Sequence, residues 1–403
     1  MIVHKMWRNV FFLSIIVLII AATSVVIGLS IRTDRVTELL YSHQVINVLF
    51  VIEDGDGGVL SSNVLVYYPV SHRAVIVTVP GNTGVLLKSL GRVDRIDTAY
   101  VEKGIGVYNN EVSDLLGISI PFTVAISFND FVPFVDLLGG IKVFIPEPVD
   151  ALSVDKAERW LLPSGVVTLD GDKAGTYLRY RLENETDAAV EERCQNILIA
   201  LFSAIAEKKA VVFARSHFRQ YSSHLKMNVD ADDAYQLFSV LSNIQIDYLI
   251  RQTVTGSYQR VSGRLLLMPF NNGELIRASV KQSTSIIVAS SDTTAHRIYI
   301  LEIQNGTTVQ GLARNTGILL DNAGYDILRT INADRDDYET TRIIDHIGNR
   351  AAAELLGTFI NCTTIEEETV RLSDTVDAAD VDFTIILGKD FDGRYVRAPR
   401  TSE

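Results

Sequence analysis

The sequence lacks the residue groupings on which most reactive centres are built. Cysteine occurs twice in 403 residues, at Cys194 and Cys362, far apart and outside any CxxC pair. That excludes a disulfide framework and argues against a zinc site, and both are read as small buried hydrophobes. The seven histidines form no HExxH pattern. There is no GxSxG elbow and no Walker loop, and Gly55-Asp56-Gly57-Gly58 reads as a flexible loop. Basic runs are missing too. The formal net charge is -12, whereas a nucleic-acid surface normally shows as a basic patch, so no nucleic-acid partner is expected.

What the chain does have is apolar residues, 47% against 21% charged, enough for a sizeable core and too many for wholesale disorder. Its length suits two or three domains. Val10 to Ile31 is an apolar run without a charge, and about 20 apolar residues span a bilayer core. Lys5 and Arg8 precede the run and suit a cytoplasmic N-terminus, although Arg32 and Arg35 follow it and weaken the bias. A cleaved signal peptide would normally have a shorter apolar core and a small-x-small cleavage site. Residues 1–40 are therefore read as a cytoplasmic tip and an uncleaved transmembrane helix. The expectation is a single-pass protein of the cell membrane with a large extracytoplasmic body.

Strands and helices alternate over residues 44–283. Ile46 to Ile52, Val64 to Tyr68, Ala74 to Val79, Phe122 to Phe128 and Ile141 to Ile145 read as strands. Asp130 to Leu138 reads as a helix stopped by Gly139-Gly140. Asn196 to Ala206 and Ala231 to Leu241 read as helices. The alternation predicts an α/β layered domain. Asp54, Asn63 and Asn82 fall at or near strand ends, where α/β sheets usually bind ligands, although on spacing alone all three are more often ordinary loop residues.

Leu169 to Gln195 is the most informative stretch. It opens on an Asp170-Gly171 turn signal, and Arg179, Arg181 and Arg193 follow. An arginine fork grips a phosphate through two parallel hydrogen bonds, so the three could clamp a diphosphate near a helix start. The alternative is a solvated charged helix face, favoured by Glu183, Glu185, Asp187, Glu191 and Glu192 among them.

The ordered set of motifs resembles the LytR-CpsA-Psr family of bacterial envelope proteins. The pieces that carry the resemblance are Asn47-Val48-Leu49 before Asp54, Thr78-Val79-Pro80, Arg95-Ile96-Asp97-Thr98-Ala99-Tyr100 and Val135-Asp136-Leu137-Leu138-Gly139-Gly140-Ile141. Leu169-Asp170-Gly171, Ala174, Tyr177, Arg179, Arg181, Arg193 and Gln195 complete them. The resemblance implies a phosphotransferase that moves a glycopolymer from a polyprenyl-diphosphate carrier to the wall. It implies arginines on the diphosphate, two aspartates on Mg2+ and an apolar tunnel for the prenyl tail, a division that suits phosphoryl transfer. Mapped onto this chain, it makes Arg179, Arg181 and Arg193 the catalytic arginines, Arg95 and Gln195 substrate-binding, and Asp54 a metal ligand. The sequence departs from the pattern at three places. Asn63 stands where the second metal aspartate belongs, and an amide is a weaker magnesium ligand than a carboxylate. Gly81-Asn82 replaces an Arg-Asp pair, and Val190 replaces a further arginine.

Residues 284–296 read as a linker. Residues 297–391 then read as a smaller α+β domain, with strands over Arg297 to Ile303, Tyr325 to Thr330 and Val381 to Leu387 and helices over Val309 to Ala323 and Asn349 to Leu356. Glu366-Glu367-Glu368 reads as a solvated acidic run, and residues 392–403 as a tail. Ile303-Gln304-Asn305-Gly306-Thr307, Gly311-Leu312-Ala313, Gly324-Tyr325-Asp326 and Ile386-Leu387-Gly388-Lys389-Asp390-Phe391 resemble the LytR C-terminal domain, which implies an envelope role. The first expectation is an anchored envelope protein with a degenerate site that binds a lipid-linked or wall glycan, or acts as a scaffold. A divergent but working magnesium-dependent phosphotransferase is the second. A transcriptional regulator, the third, is disfavoured by the anchor and the acidic balance.

Overall fold

The first three strands explain the centre of the molecule. β1 (Ile46–Glu53), β2 (Val59–Tyr68) and β3 (Arg73–Thr78) are rich in Val, Ile and Leu and buried along nearly their whole length, as expected of strands covered on both faces. They sit inside a six-stranded sheet with β6 (Phe122–Ser127), β11 (Lys226–Met227) and β12 (Ile250–Thr253), in the order β11-β6-β1-β2-β3-β12. β1 pairs antiparallel with β2, Phe50 opposite Asn63, and parallel with β6, Phe50 opposite Val124. The computed structural model describes residues 44–55, 57–153, 158–182, 185–289, 298–367, 381–391 and 393. The run Val10 to Ile31 lies outside these, as does most of the 392–403 tail. Among the described residues no helix is long and apolar enough to cross a membrane.

Side-chain alternation along β1 assigns its two faces. Leu49 and Val51 join Val64, Val66, Val75 and Val77 in the core that also holds Val112 and Leu115 of α2 (Ile105–Leu116) and Val280 of α9 (Glu274–Ala289). Phe50 points the other way and meets Phe202 of α5 (Asp187–Glu207) at 5.2 Å and Phe238 of α8 (Ala231–Leu241) at 6.5 Å between ring centroids. Each such buried aliphatic or aromatic side chain stabilises the fold by about 1.5–3 kcal/mol. Helices on both faces of a mixed sheet make this the α/β layered arrangement expected.

Two glycine-dependent joints place the elements that carry the site. α3 (Phe128–Leu137) ends with Gly139 and Gly140 at φ +69° and +91°, the left-handed stop that the sequence signals. α4 (Gly171–Arg179) starts on Asp170, whose carboxylate accepts from the Lys173 N–H at 3.0 Å. Gly171 lies so close to α3 that a Cβ would stand 2.2 Å from the Val132 carbonyl oxygen. Its N–H donates to Asp136 Oδ1 at 2.8 Å. Any larger residue would push α4, and Arg179 at its end, away.

Four two-stranded antiparallel sheets surround this frame: β4 (Gly84–Leu87) with β5 (Arg92–Arg95), β7 (Ile141–Ile145) with β10 (Gly165–Leu169), β8 (Val149–Leu152) with β9 (Arg159–Leu162), and β13 (Gly256–Val261) with β14 (Arg264–Pro269). Short α1 (Asp97–Lys103) follows β5, and α6 (Lys209–Val212) and α7 (Arg215–Ser222) follow α5. α5 begins at Asp187, nine residues before the apolar run that marks it in sequence. Its first turns are charged on the outside, and Thr186 caps it by accepting from the Ala189 N–H at 3.2 Å.

The C-terminal part is a five-stranded mixed sheet, in the order β16 (Asp326–Asn332), β15 (Ile300–Asn305), β19 (Phe383–Leu387), β17 (Arg342–Asp345), β18 (Ile365–Glu367). It carries α10 (Leu312–Asp321) and α11 (Arg350–Ile360). Glu366 and Glu367, read as a solvated run, are exposed but lie on the short edge strand β18. α9 continues through Ala289, inside the stretch read as linker, and ties the two parts together. Gln282 Nε2 donates to Tyr325 Oη at 2.8 Å, and Ser283 Oγ donates to the Ala323 carbonyl at 2.8 Å.

Candidate functional site

The β1–β2 turn, the end of α4 and the start of α5 meet at the carboxyl end of β1, in the middle of the central sheet. The turn is closed by Asp54 N–H donating to the Gly58 carbonyl at 2.8 Å and Gly57 N–H to the Asp54 carbonyl at 3.0 Å, which leaves the Asp54 carboxylate pointing outward. Together with the β5 end and β14, these elements enclose an open cleft of about 910 Å³, lined mainly by polar atoms. Asp54, Asn82, Arg95, Arg179, Arg181, Asp187 and Glu191 line it.

Each arginine of the cleft is already held by a carboxylate. Arg179 donates to Asp54 Oδ1, and its guanidinium lies 3.5 Å from the Phe128 ring centroid, a cation–π contact that fixes its plane. Arg181 donates to Asp187 Oδ1. Arg95 Nε donates to both oxygens of Asp97, at 2.9 and 3.2 Å. Asp187 is the busiest group, since Asn82 Nδ2 at 3.2 Å and Tyr258 Oη at 2.9 Å also donate to it. The arrangement carries positive forks suited to a phosphate, but an entering anion has to draw them off their carboxylates.

Glu191 stands one helical turn beyond Asp187 on α5, on the same face. Its Oε2 is buried and has no hydrogen-bond partner among the described residues. Burial, then the Asp187 carboxylate, push its carboxyl up to about 7, against the pull of Arg181. Tyr258 is raised by burial and by its bond to Asp187.

Of the residues singled out from sequence, Asp54, Arg95, Arg179 and Arg181 are brought together in the cleft. Arg193, Gln195 and Asn63 are not. Arg193 is buried, donates to the Tyr180 carbonyl and to Glu185, and lies about equally far from the rings of Tyr177 and Tyr180. It ties the segment between α4 and α5 to the helix beneath. Gln195 Nε2 donates to Thr78 Oγ1 at 2.8 Å and to the Gln252 carbonyl at 3.3 Å, fastening α5 to the sheet. Asn63 is buried in β2, where it donates to Ser61 Oγ at 2.9 Å and accepts from Thr78 Oγ1 at 2.7 Å. Val190 lines the cleft at the position where the resemblance implies an arginine.

These placements do not fit a magnesium cage. The Asn63 amide oxygen is committed to Thr78 and the Asp54 carboxylate to Arg179, and among the described residues no group of three or more acidic, His or Cys side chains is disposed to hold a metal. The apolar tunnel implied beside the guanidinium groups is likewise not what the cleft offers, because its walls are mostly polar. Sequence reasoning missed Asp187 and Glu191 as site residues, counting them as acids that dilute the arginines. The signal that could have found them is their four-residue spacing directly after Arg181, which puts both on one helix face.

Comparison with known proteins bears on the same residues. The profile of the LytR_cpsA_psr family matches residues 61–277, more than half of the chain, and that of the LytR cell envelope-related transcriptional attenuator matches residues 299–391. The polyisoprenyl-teichoic acid–peptidoglycan teichoic acid transferase TagU of Bacillus licheniformis is 21% identical over 227 residues, covering 55% of this chain and 72% of that relative. The transferase of the same description named TagV, from Bacillus subtilis, is 25% identical over 193 residues, 47% of this chain and 49% of the relative. The crystal structure of B. subtilis TagV superposes with a TM-score of 0.53 at 22% identity, covering 60% of this chain and 97% of that one. That likeness establishes the fold.

Proposed function

This chain belongs to the LytR-CpsA-Psr family, and from that membership we propose that it is a membrane-anchored cell-envelope protein that binds the diphosphate head of a polyprenyl-linked glycopolymer and turns it over poorly. The observation that carries the reading is the pairing of Arg95, Arg179 and Arg181 with Asp97, Asp54 and Asp187 around one cleft. Forks in this number suit a diphosphate. Their pairing, with Gly81 and Val190 where the resemblance implies arginines, leaves less positive charge to stabilise a phosphoryl transition state. The names of the teichoic acid transferases above support the substrate class. Binding would use the exposed arginines, while the prenyl tail would have to find its apolar surface outside the cleft.

The test uses the full-length chain, which should partition with the membrane fraction and, in detergent micelles, bind polyprenyl diphosphate. Arg181→Ala is expected to weaken that binding about tenfold or more, the loss of one charge-assisted pair of hydrogen bonds. Equal affinity in the variant would remove the cleft from the account.

A further inference from the structure

Among the described residues, Glu191 is the one carboxylate lining the cleft that the pairing scheme leaves over. Asp54, Asp97 and Asp187 each hold an arginine, whereas Glu191 Oε2 is buried in the cleft wall without a partner among the described residues. Its neighbour on the helix, Val190, offers no donor. A buried acceptor with nothing to accept from is costly in the ionised form, and it would be costlier still beside a phosphate. A buried carboxylic acid, in contrast, is a hydrogen-bond donor, and a phosphate oxygen is an acceptor.

From this we infer that Glu191 binds phosphate in its protonated form, donating its O–H to an oxygen of the anion from the position next to Val190, where the resemblance implies an arginine. The inference rests on the reading of the cleft as a diphosphate site. The charged surroundings are consistent with it. Asp187 on the same helix and Asp97 at the start of α1 both favour the proton, and Arg181 opposes it. Tyr108 of α2, Tyr258 of β13 and Cys194 also feel the Glu191 charge, and all three are themselves raised, chiefly by burial, and so neutral near pH 7. Arg95, Arg179 and Asp54 line the same cleft. An arriving anion adds negative charge and stabilises the proton further, so binding takes up a proton and weakens as pH rises.

The experiment titrates inorganic pyrophosphate into the full-length protein, wild type, Glu191→Gln and Glu191→Ala, from about pH 6 to about pH 8. The amide of the Gln variant donates at every pH, and comparison with it cancels the titration of pyrophosphate itself. Wild type and Glu191→Gln are expected to bind within about twofold of each other at the acid end, with wild type about tenfold weaker at the alkaline end. Glu191→Ala, with no donor, should be about tenfold weaker than Glu191→Gln throughout. A wild-type to Glu191→Gln ratio that stays flat across the range overturns the inference and leaves the cleft reading intact. No pyrophosphate binding by wild type at any pH overturns both.

Discussion

Arg181 and Arg193 stand twelve residues apart in one charged stretch and look interchangeable in sequence, yet they do opposite work. The Arg181 side chain is 57% exposed and lies in the cleft against Asp187. The Arg193 side chain is 6% exposed and is locked between the Tyr180 carbonyl and Glu185. One is available to a ligand after a modest exchange of partners. The other is part of the scaffold that holds the α4–α5 segment in place. Arginine count alone says little about phosphate capacity. What matters is which guanidinium groups keep access to solvent, and what already occupies them.

The two arginines should differ most in what they contribute to stability. Arg193→Ala removes one partner from a buried ion pair and leaves the Glu185 carboxylate with no cation, only the Leu182 N–H at 3.2 Å, so unfolding free energy should fall by about 3–5 kcal/mol. Arg181→Ala breaks an exposed pair worth under about 1 kcal/mol. Denaturant titration of both variants decides it, and equal losses would mean that the two arginines are not differently employed. A smaller effect sharpens the acid side of the cleft. The Glu191 carboxyl ionises near 7 in the folded protein, against an ordinary value of 4.5, so the folded state holds more protons between those values. Its contribution to stability is complete below about 4.5 and is lost as pH rises through about 7. Glu191→Gln should therefore match wild type near pH 4 and exceed it near pH 8 by on the order of 1–3 kcal/mol. A stability difference that does not change with pH would contradict the buried, unpaired placement of Glu191.

What the sequence made legible follows from how local each decision is. The apolar runs of β1 and β3, the glycine stop at Gly139 and Gly140 and the Asp170 cap depend on neighbours within a few residues, and each lies where the pattern puts it. The onset of α5 at Asp187 was hidden because its first two turns are outwardly charged and its apolar face begins only at Cys194 and Ile197. The fates of Arg193, Gln195 and Asn63 were hidden for a different reason. Gln195 and Asn63 both converge on Thr78, from elements far apart in the chain, and no spacing rule contains that meeting. The pairing of Arg179 with Asp54 spans 125 residues, so the resemblance could propose both as site residues without revealing that they neutralise each other.

On the proposed function, this cleft grips a diphosphate and transfers from it poorly. The measurement that tests it most directly follows release of polyprenyl phosphate from a polyprenyl-diphosphate-linked glycan by the full-length chain, with and without magnesium, alongside the binding of the same compound. Saturable binding is expected, with turnover close to the uncatalysed background and little response to magnesium. Rapid magnesium-dependent release that collapses in Arg179→Ala or Asp54→Ala would contradict it and make this a working transferase.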